Sequence, residues 1–217
     1  MRLPDQDALA RELEREFGGR WCVAVTHGRL DEDDLTHGEL AGYRRLPATG
    51  PRRAAWLAGR LALRRVLERL GQAPDTAGLS FPSARLSLSH AGSTAVAVAT
   101  DDLHAAGVGV DVEPARPSDQ RIARFFLQPD EQAWLAGQAP AAREAHLTRL
   151  WTVKEAAYKA NLRNAGTVLA QYRLADPQAW RGTALAPVRP TTHIRYRSLE
   201  LDGGYITVAA TKGDQSS

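Results

Sequence analysis

Hydrophobic residues recur at helical spacing in several segments of this chain. In the first segment, Leu9, Leu13 and Phe17 are separated by charged residues, as on the buried face of an amphipathic helix. In a later segment the apolar positions stop at Gly71, a residue that often follows the last turn of a helix. Together these patterns predict helices over residues 5–17, 52–70, 129–135 and about 141–162.

Continuous or alternating apolar runs between turn-forming residues predict the strands. They cover residues 21–26, 85–89, 94–100, 107–112, 168–174, 192–201 and 204–211. A turn over residues 90–93 joins two of them into a hairpin, and the acidic stretch 31–39 is predicted to be a polar loop. Helices and antiparallel hairpins in this order predict an α+β fold.

An internal repeat indicates two related halves. Residues 86–100 align with residues 197–211 without a gap, and five identical residues coincide. The matched pairs are Ser87/Ser198, Leu88/Leu199, Gly92/Gly203, Ala99/Ala210 and Thr100/Thr211. The repeat predicts two lobes, 1–106 and 107–217, each with a long helix followed by an antiparallel hairpin. A cleft between two such lobes is a favourable place for a ligand.

Composition narrows the class of protein and its chemistry. An apolar fraction of 43% and a net charge of +3 are typical of a soluble globular protein, and no apolar run approaches the roughly 20 residues that span a bilayer. We therefore expect a cytoplasmic protein without membrane contact. Cys22 is the single cysteine, so an internal disulfide and a cysteine-based zinc site are excluded, and its apolar neighbours favour a core position. The sequence contains no Walker loop, dinucleotide fingerprint or serine-hydrolase elbow.

Arginines are concentrated in one segment of the chain. Eight of them fall in it: Arg44, Arg45, Arg52, Arg53, Arg60, Arg64, Arg65 and Arg69. Such a cluster attracts anions. The alternative is a solvated face of the helix over residues 52–70, and composition alone does not separate the two interpretations.

Acidic residues and a lysine form a second chemical feature. Asp111 and Glu113 lie two residues apart at the end of an apolar strand and so share a face, while Glu155 and Lys159 lie four apart on a helix and share a face too. Lys154 adds a second cation beside Glu155. Three carboxylates and an amine could thus converge on a divalent cation, magnesium or manganese, and on a phosphate group. The alternatives are a strand end that meets solvent and an ordinary helical ion pair worth about 0.2–0.5 kcal/mol.

Five segments together resemble one enzyme family. In order they are RRAAWLAGRLALR, SLSHAGSTAVAVA, GVGVDVEP, FFLQPDEQAWL and WTVKEAAYKA, and they extend from about residue 52 to residue 160. Their joint order and spacing resemble the 4'-phosphopantetheinyl transferases, specifically the larger, Sfp-like monomeric class. The resemblance implies two pseudo-twofold-related α+β lobes, each with an antiparallel sheet packed on a long helix, and coenzyme A in the cleft between them.

The resemblance also implies a reaction. These enzymes transfer the 4'-phosphopantetheine arm of coenzyme A to a serine of an apo acyl or peptidyl carrier protein and release adenosine 3',5'-bisphosphate, which activates polyketide, fatty acid or nonribosomal peptide synthases. By match to the family's motifs, Asp111, Glu113 and Glu155 would hold Mg2+ against the pyrophosphate. Glu155 would also deprotonate the carrier serine, directly or through a water. Lys159 would contact the pyrophosphate and assist the departure of the leaving group.

Other residues match family positions that bind the coenzyme. Ser89 and His90 match a Ser-His pair whose histidine meets the 3'-phosphate. Arg52 and Arg60 match basic positions that bind the same end, and Arg53 can take the place of Arg52 because the doublet blurs the register. The resemblance thereby explains the arginine cluster as an anion site.

Lys154 is also assigned to the coenzyme site, with Trp151 as a support, and Glu131 is expected to orient the intervening loop rather than to bind metal. The sequence departs from the family at two places. It lacks the family's Gly-Lys-Pro stretch before the Ser-His pair and has SFPSAR there, with Arg85 as the only cation, which leaves the adenine contacts undefined. It also reads NLRNAGTVL where the family has a Gly-x-Gly-Leu turn, so the loop that faces the carrier is expected to differ.

Two other functions fit parts of the pattern. A magnesium-dependent nuclease or phosphohydrolase also needs clustered carboxylates and a lysine, but such sites usually place the lysine two residues after a strand carboxylate, where this chain has Ala115. A nucleic-acid-binding module would use the arginines but gives no role to the acidic pair. We therefore expect coenzyme A and a carrier protein as partners, no nucleic acid, and a monomer.

Overall fold

The computed structural model describes residues 5–47, 51–92, 94–115 and 120–213. The helices are α1 (Gln6–Phe17), α2 (His37–Arg44), α3 (Pro51–Arg69), α4 (Ala123–Phe126), α5 (Pro129–Ala136) and α6 (Pro140–Ala160). The strands are β1 (Trp21–Thr26), β2 (Leu86–Ala91), β3 (Thr94–Thr100), β4 (Ala105–Pro114), β5 (Arg173–Leu174), β6 (Arg181–Leu185), β7 (His193–Leu201) and β8 (Gly204–Lys212).

Two antiparallel sheets repeat one topology. The first has the strand order β1-β3-β2, and the second has the order β4-β8-β7-β6-β5. In each, a first strand is followed by a long helix, α3 or α6, and then by a hairpin whose second strand pairs with the first strand. The α+β prediction is therefore confirmed, and the repeated topology agrees with two related halves, while the bounds 1–106 and 107–217 stay a prediction.

The gapless alignment of the two halves is wrong by one residue. The first hairpin closes with Ala91 opposite Thr94, and the second closes with Leu201 opposite Gly204. Equivalent residues thus differ by 110 in number, whereas the alignment used 111. Because neighbouring strand residues point to opposite faces, a shift of one residue exchanges the two faces.

The corrected register explains how the core is built. Val96 and Val98 of the first half correspond to Ile206 and Val208 of the second, and all four lie in one cluster that takes side chains from both sheets and from α1. The opposite face of the first sheet is covered by α3, and that of the second by α6. Each sheet is therefore buried on both faces.

Several elements differ from the sequence predictions, and the short helix α4 was not predicted. The acidic stretch 31–39 includes a 3-10 turn and the start of α2, whose first turn is closed by a capping box between Thr36 and Glu39 and which buries Tyr43 further on. The predicted strand over residues 168–174 is a short 3-10 turn followed by β5. Strand β6 was not predicted, because Ala184 is its one fully buried residue and a strand with so little burial has no clear alternation.

Ion pairs fasten α1 to the second sheet. Glu12 accepts a hydrogen bond from Arg197 of β7 at 2.7 Å, and Glu16 accepts one from Arg195 at 2.7 Å. Cys22 lies buried in the core, as its neighbours predicted. Across the described part of the chain, no helix combines the length and the hydropathy that a membrane crossing requires.

Candidate functional site

Strand β4 alternates between a core face and a face that meets α6. Val108, Val110 and Val112 enter the core, so Gly107, Gly109 and Asp111 point the other way. A side chain on either glycine would collide with the helix or its surroundings. An ideal Cβ on Gly109 would lie 2.8 Å from the backbone nitrogen of Ala160 and closer still to the carbonyl oxygen of Ala156. The two glycines therefore let α6 approach the strand closely, and the next residue on that face is Asp111.

Asp111 is the buried centre of the site. Its side chain is 6% exposed, and its Oδ1 accepts hydrogen bonds from Ser89 at 2.8 Å and from Lys159 at 2.7 Å. Its Oδ2 is buried and has no partner among the described residues. Burial raises the pKa of Asp111, and the bonds from Lys159 and Ser89 oppose that shift. The carboxyl group is thus anchored through one oxygen, while the other has unused capacity to bind.

Lys159 joins three elements at this point. Its ammonium donates to Oδ1 of Asp111 at 2.7 Å, to the carbonyl oxygen of Val110 at 3.1 Å and to Oγ of Ser89 at 3.4 Å. An ammonium has three donors, so all of them are occupied. The side chain is 28% exposed, which leaves it open to a ligand that approaches from solvent. Helix α6 and the strands β2 and β4 consequently meet at one charged cluster.

Glu155 and Glu113 lie within electrostatic range of this cluster. Burial raises the pKa of Glu155, Lys159 opposes the shift, and the charges of Asp111 and Glu113 raise the pKa further. The structure therefore places Lys159, Asp111 and Glu113 within electrostatic range of Glu155, without grouping the three carboxylates tightly. Glu155 is held in an environment that favours its protonated form.

The carboxylates do not form a ready-made metal site. Over the four described ranges, no three His, Cys, Asp or Glu side chains are grouped closely enough to hold a metal ion. The residues nevertheless suit a hard cation in their chemistry, because carboxylate oxygens are what Mg2+ prefers and Oδ2 of Asp111 has no partner in the described chain. The assignment of Asp111, Glu113 and Glu155 to magnesium stays a prediction.

Ser89 lies in strand β2, as predicted, and His90 lies in the same strand and not in the predicted hairpin turn. The strand continues to Ala91, so the turn is shorter than the sequence indicated, and its Ser93 lies outside the described residues. The two side chains consequently point to opposite faces. Ser89 faces Asp111, and His90 packs against Gly59 of α3, where an ideal Cβ would lie 2.7 Å from its Nε2.

His90 has an unused hydrogen-bonding group. Its Nε2 is buried and lacks a partner among the described residues. Burial lowers the pKa of His90, Lys159 lowers it further, and a backbone hydrogen bond to Ala55 acts in the opposite direction. A buried unpaired ring nitrogen is costly, so this atom is a candidate contact for a ligand.

The three arginines assigned to the coenzyme differ in their surroundings. Arg60 donates to the carbonyl oxygen of Thr76 at 2.8 Å and stacks on Trp56 at 4.5 Å from the ring centroid. Arg53 donates to the carbonyl oxygen of Pro47 at 3.0 Å and also stacks on an aromatic ring. Arg52 is exposed on the first turn of α3. Of the doublet, Arg52 is therefore the better placed to meet a ligand.

Several other arginines of the cluster bind groups within the protein. They form neither an anion site nor a solvated helix face, which were the two interpretations drawn from composition. Arg64 pairs with the buried Glu39, and Arg69 donates to the carbonyl oxygen of Val23 at 3.0 Å. Burial raises the pKa of Glu39, but hydrogen bonds from Arg64 and Thr76 outweigh that effect and lower the pKa to about 2. Basic residues can therefore cluster in the sequence because they tie a helix to neighbouring segments.

Lys154 does not lie with Lys159. Its side chain is fully buried on another face of α6, where its ammonium donates to Glu131 at 2.8 Å and also to the carbonyl oxygen of Tyr172. Glu131 also accepts from the backbone nitrogen of Leu174 at 2.8 Å. An enclosed ammonium cannot reach a ligand in the cleft, so the assignment of Lys154 to the coenzyme site is wrong. Lys154 and Glu131 instead join α5, α6 and β5.

The sequence did not reveal two neighbouring features. Thr207, opposite Asp111 on β8, forms a buried chain of hydroxyl groups with Thr152 at 2.8 Å and Ser198 at 2.7 Å. A cavity of about 390 Å³ adjoins Lys159 and is lined by Phe81, Pro82, Ser87, Leu88, Tyr158 and Asn164. The residues of both features were visible in the sequence. Their local spacing, however, did not show that the three hydroxyl groups would contact one another or that the aromatic residues would line a cavity beside Lys159.

Comparison with known proteins bears on this site directly. Residues 107–210 match the family model described as the 4'-phosphopantetheinyl transferase superfamily. The matched segment contains α6 and most of β4 and of the hairpin β7–β8, and with them Asp111, Glu155 and Lys159. This segment, and not the first half of the chain, carries the match to the 4'-phosphopantetheinyl transferase superfamily. The family prediction made from the sequence is confirmed.

Individual relatives agree with the family match. The chain is 34% identical to the 4'-phosphopantetheinyl transferases AcpT of Salmonella typhi and Salmonella typhimurium over 117 residues, which is 51% of this chain and 59% of each relative. It is 40% identical to the 4'-phosphopantetheinyl transferase psf-1 of Bacillus pumilus over 79 residues, or 36% of this chain and 32% of that protein. These matches thus span less than two thirds of each relative.

One solved structure is similar in part. The crystal structure of Thermotoga maritima holo-[acyl-carrier-protein] synthase aligns with 51% of this chain and 70% of its own, at 17% sequence identity and a TM-score of 0.37.

Proposed function

We propose that this protein transfers the 4'-phosphopantetheine arm of coenzyme A to a serine of an apo acyl or peptidyl carrier protein and releases adenosine 3',5'-bisphosphate. The observation that carries the proposal is the convergence of Asp111, Glu155 and Lys159 within the segment that matches the superfamily. Carboxylates and an ammonium at one end of a cleft are the groups that pyrophosphate chemistry requires.

Magnesium is the proposed metal, and Asp111, Glu113 and Glu155 are its proposed ligands. The unpaired Oδ2 of Asp111 supports this assignment, because a buried carboxylate oxygen needs either a donor or a cation. Bound there, Mg2+ would neutralise charge on the coenzyme's pyrophosphate. Manganese has similar ligand preferences and would serve as a replacement.

Glu155 is the proposed general base. Its raised pKa makes it a stronger base than an exposed carboxylate, and a base is most effective when its pKa approaches the working pH. In the proposed reaction Glu155 takes the proton of the carrier serine, directly or through a water. Lys159 turns from Asp111 towards the pyrophosphate and steadies the negative charge that develops on the leaving group.

The other end of the coenzyme is assigned to the first half of the chain. His90 is proposed to meet the 3'-phosphate through its unpaired Nε2, and Arg52 and Arg60 to add positive charge at the same end. We further propose that the protein acts as a monomer, because both sets of residues belong to one chain. We also propose that it acts in the cytoplasm.

Intact-mass spectrometry tests this function. Purified protein, Mg2+ and coenzyme A are incubated with several apo acyl and peptidyl carrier proteins, and the expected result is a mass gain of one phosphopantetheine arm. Asp111→Ala and Lys159→Ala should nearly abolish the gain, while Asp130→Ala, which removes an exposed carboxylate of α5, should keep it. Unmodified mass for every carrier would overturn the proposal, and cleavage of plasmid DNA under the same conditions would favour a nuclease instead.

A further inference from the structure

The hydroxyl group of Ser89 has its one donor engaged with Asp111. It donates its single hydrogen to Oδ1 of Asp111 at 2.8 Å and accepts from Lys159 at 3.4 Å. Ser89 is 4% exposed, so solvent offers its hydroxyl group little competing hydrogen bonding. A hydroxyl group has one donor only.

Phosphate oxygens at neutral pH are hydrogen-bond acceptors, so they need donors from the protein. Ser89 could supply a donor only if it released Asp111. Release would leave a buried carboxylate with one anchor fewer, and removing a partner from a buried charged group is costly. A direct bond from Ser89 to a phosphate is therefore disfavoured by the hydrogen bonds that the site already contains.

The same bonds fix the orientation of Asp111. Because Ser89 and Lys159 both hold Oδ1, the carboxyl group cannot rotate freely, and Oδ2 is the oxygen that remains unpaired among the described residues. Residues that hold a metal ligand in place in this way raise the affinity of the site for its cation. Lys159 is partly exposed and can leave for a ligand, whereas Ser89 is buried and stays.

We propose that Ser89 is a positioning residue that presents Oδ2 of Asp111 to the divalent cation, and that it does not bind a phosphate of the coenzyme. The inference rests on the proposed function, since it concerns the cation of that reaction. It assigns Ser89 a role different from that of His90, its neighbour on the opposite face of β2.

Two binding measurements separate the roles of Ser89. The affinity for Mn2+ is measured by electron paramagnetic resonance at saturating coenzyme A, and the affinity for coenzyme A is measured by calorimetry in EDTA. Ser89→Ala should weaken Mn2+ binding by about tenfold or more, the usual effect of losing a residue that supports a metal ligand. Its affinity for coenzyme A in EDTA should stay within about twofold of wild type. Ser89→Thr, which keeps the hydroxyl group, should restore Mn2+ binding.

Ser87→Ala is the matched control. Ser87 lies two residues earlier on the same face of β2, and its Oγ accepts from the backbone nitrogen of Val110 at 3.0 Å, so its loss perturbs the same strand without touching Asp111. It should leave Mn2+ affinity near that of wild type. Circular dichroism confirms that each variant is folded.

The outcomes are distinct. Unchanged Mn2+ affinity in Ser89→Ala would overturn the inference, and so would a loss of metal-free coenzyme affinity as large as the loss of Mn2+ affinity. Equal weakening of Mn2+ binding by Ser87→Ala would also overturn it, because the effect would then belong to the strand. A wild-type protein that binds neither coenzyme A nor Mn2+ would instead count against the proposed function.

Discussion

The close contact between β4 and α6 makes Gly109→Ala the sharpest test of how this site is built. The new methyl group would lie 2.8 Å from the backbone nitrogen of Ala160, and closer still to the carbonyl oxygen of Ala156. Both are backbone atoms in a continuous helix, so they cannot rotate away as a side chain would. The helix must move as a unit, or the strand must bend.

The size of that movement follows from the geometry. Ordinary contact begins at about 3.4 Å, so α6 must retreat from Gly109 by at least about 0.6 Å, and the nearer carbonyl oxygen increases that figure. The bond between Lys159 and Asp111 would lengthen from 2.7 Å to at least about 3.3 Å, which is beyond the usual range of such bonds. Overpacking of this kind costs roughly 1–3 kcal/mol, and a misplacement of about 1 Å slows catalysis by about 100-fold.

Urea denaturation measures the first effect, and initial rates of carrier modification measure the second. With a slope of about 2 kcal/mol per molar urea, a loss of about 2 kcal/mol lowers the midpoint by about 1 M. Gly78→Ala is the control, because nothing lies within 4 Å of a methyl group there. If Gly109→Ala unfolds at the same urea concentration as Gly78→Ala, the glycines are not what admits the helix, and the reasoning is refuted.

Two further predictions concern buried charges. The folded-state pKa of Glu155 is raised above its ordinary 4.5, so the folded state loses stability as the pH rises from 4.5 through the folded-state pKa. Glu155→Gln removes this loss and should therefore be more stable than wild type towards pH 8, measured by urea denaturation in EDTA. An equal difference between the two proteins at pH 4 and pH 8 would contradict this. Lys154→Met should lower the free energy of unfolding by about 3–5 kcal/mol, since it leaves Glu131 buried without its cation, while Lys154→Met with Glu131→Leu should recover much of the loss. Removing the exposed pair between Arg173 and Asp130 by Arg173→Met should have a much smaller effect, and equal losses for Lys154→Met and Arg173→Met would refute the distinction.

Periodicity predicted the parts of the fold in which burial is one-sided or complete. Strand β1 was bounded correctly because all six of its residues are buried, and α3 was bounded to within one residue because its apolar stripe ends at Gly71. The convergence of Asp111 with Lys159 also followed from periodicity, since a strand face and a helix face each carried the right pair. What the pattern could not supply was the distance between them, which depends on the glycines of β4.

The failures have a common physical cause, which is that local spacing does not show what lies opposite a residue. Lys154 and Lys159 look alike in the sequence, but α6 is buried on several sides, so neither its apolar residues nor its charges identify one inner face. Ser89 and His90 were assigned one role as a pair, although alternation separates them once the strand extends past them. The arginine cluster misled for the same reason, because Arg64 and Arg69 find their acceptors in distant segments.

The one-residue correction between the two halves shows how a repeated scaffold carries the candidate site. In the corrected register the partner of Asp111 on β8, Thr207, corresponds to Ala97 on β3, whose own partner is Ala24. An alanine thus stands in the first half where the second half has its central carboxylate. The two halves share a backbone topology but supply different residues to the site. The second half contributes Asp111 and Lys159, and the first half contributes Ser89 from its edge strand. Neither half alone supplies all three of these residues. Because the halves are joined in one chain, every molecule carries both sets of residues in a one-to-one ratio.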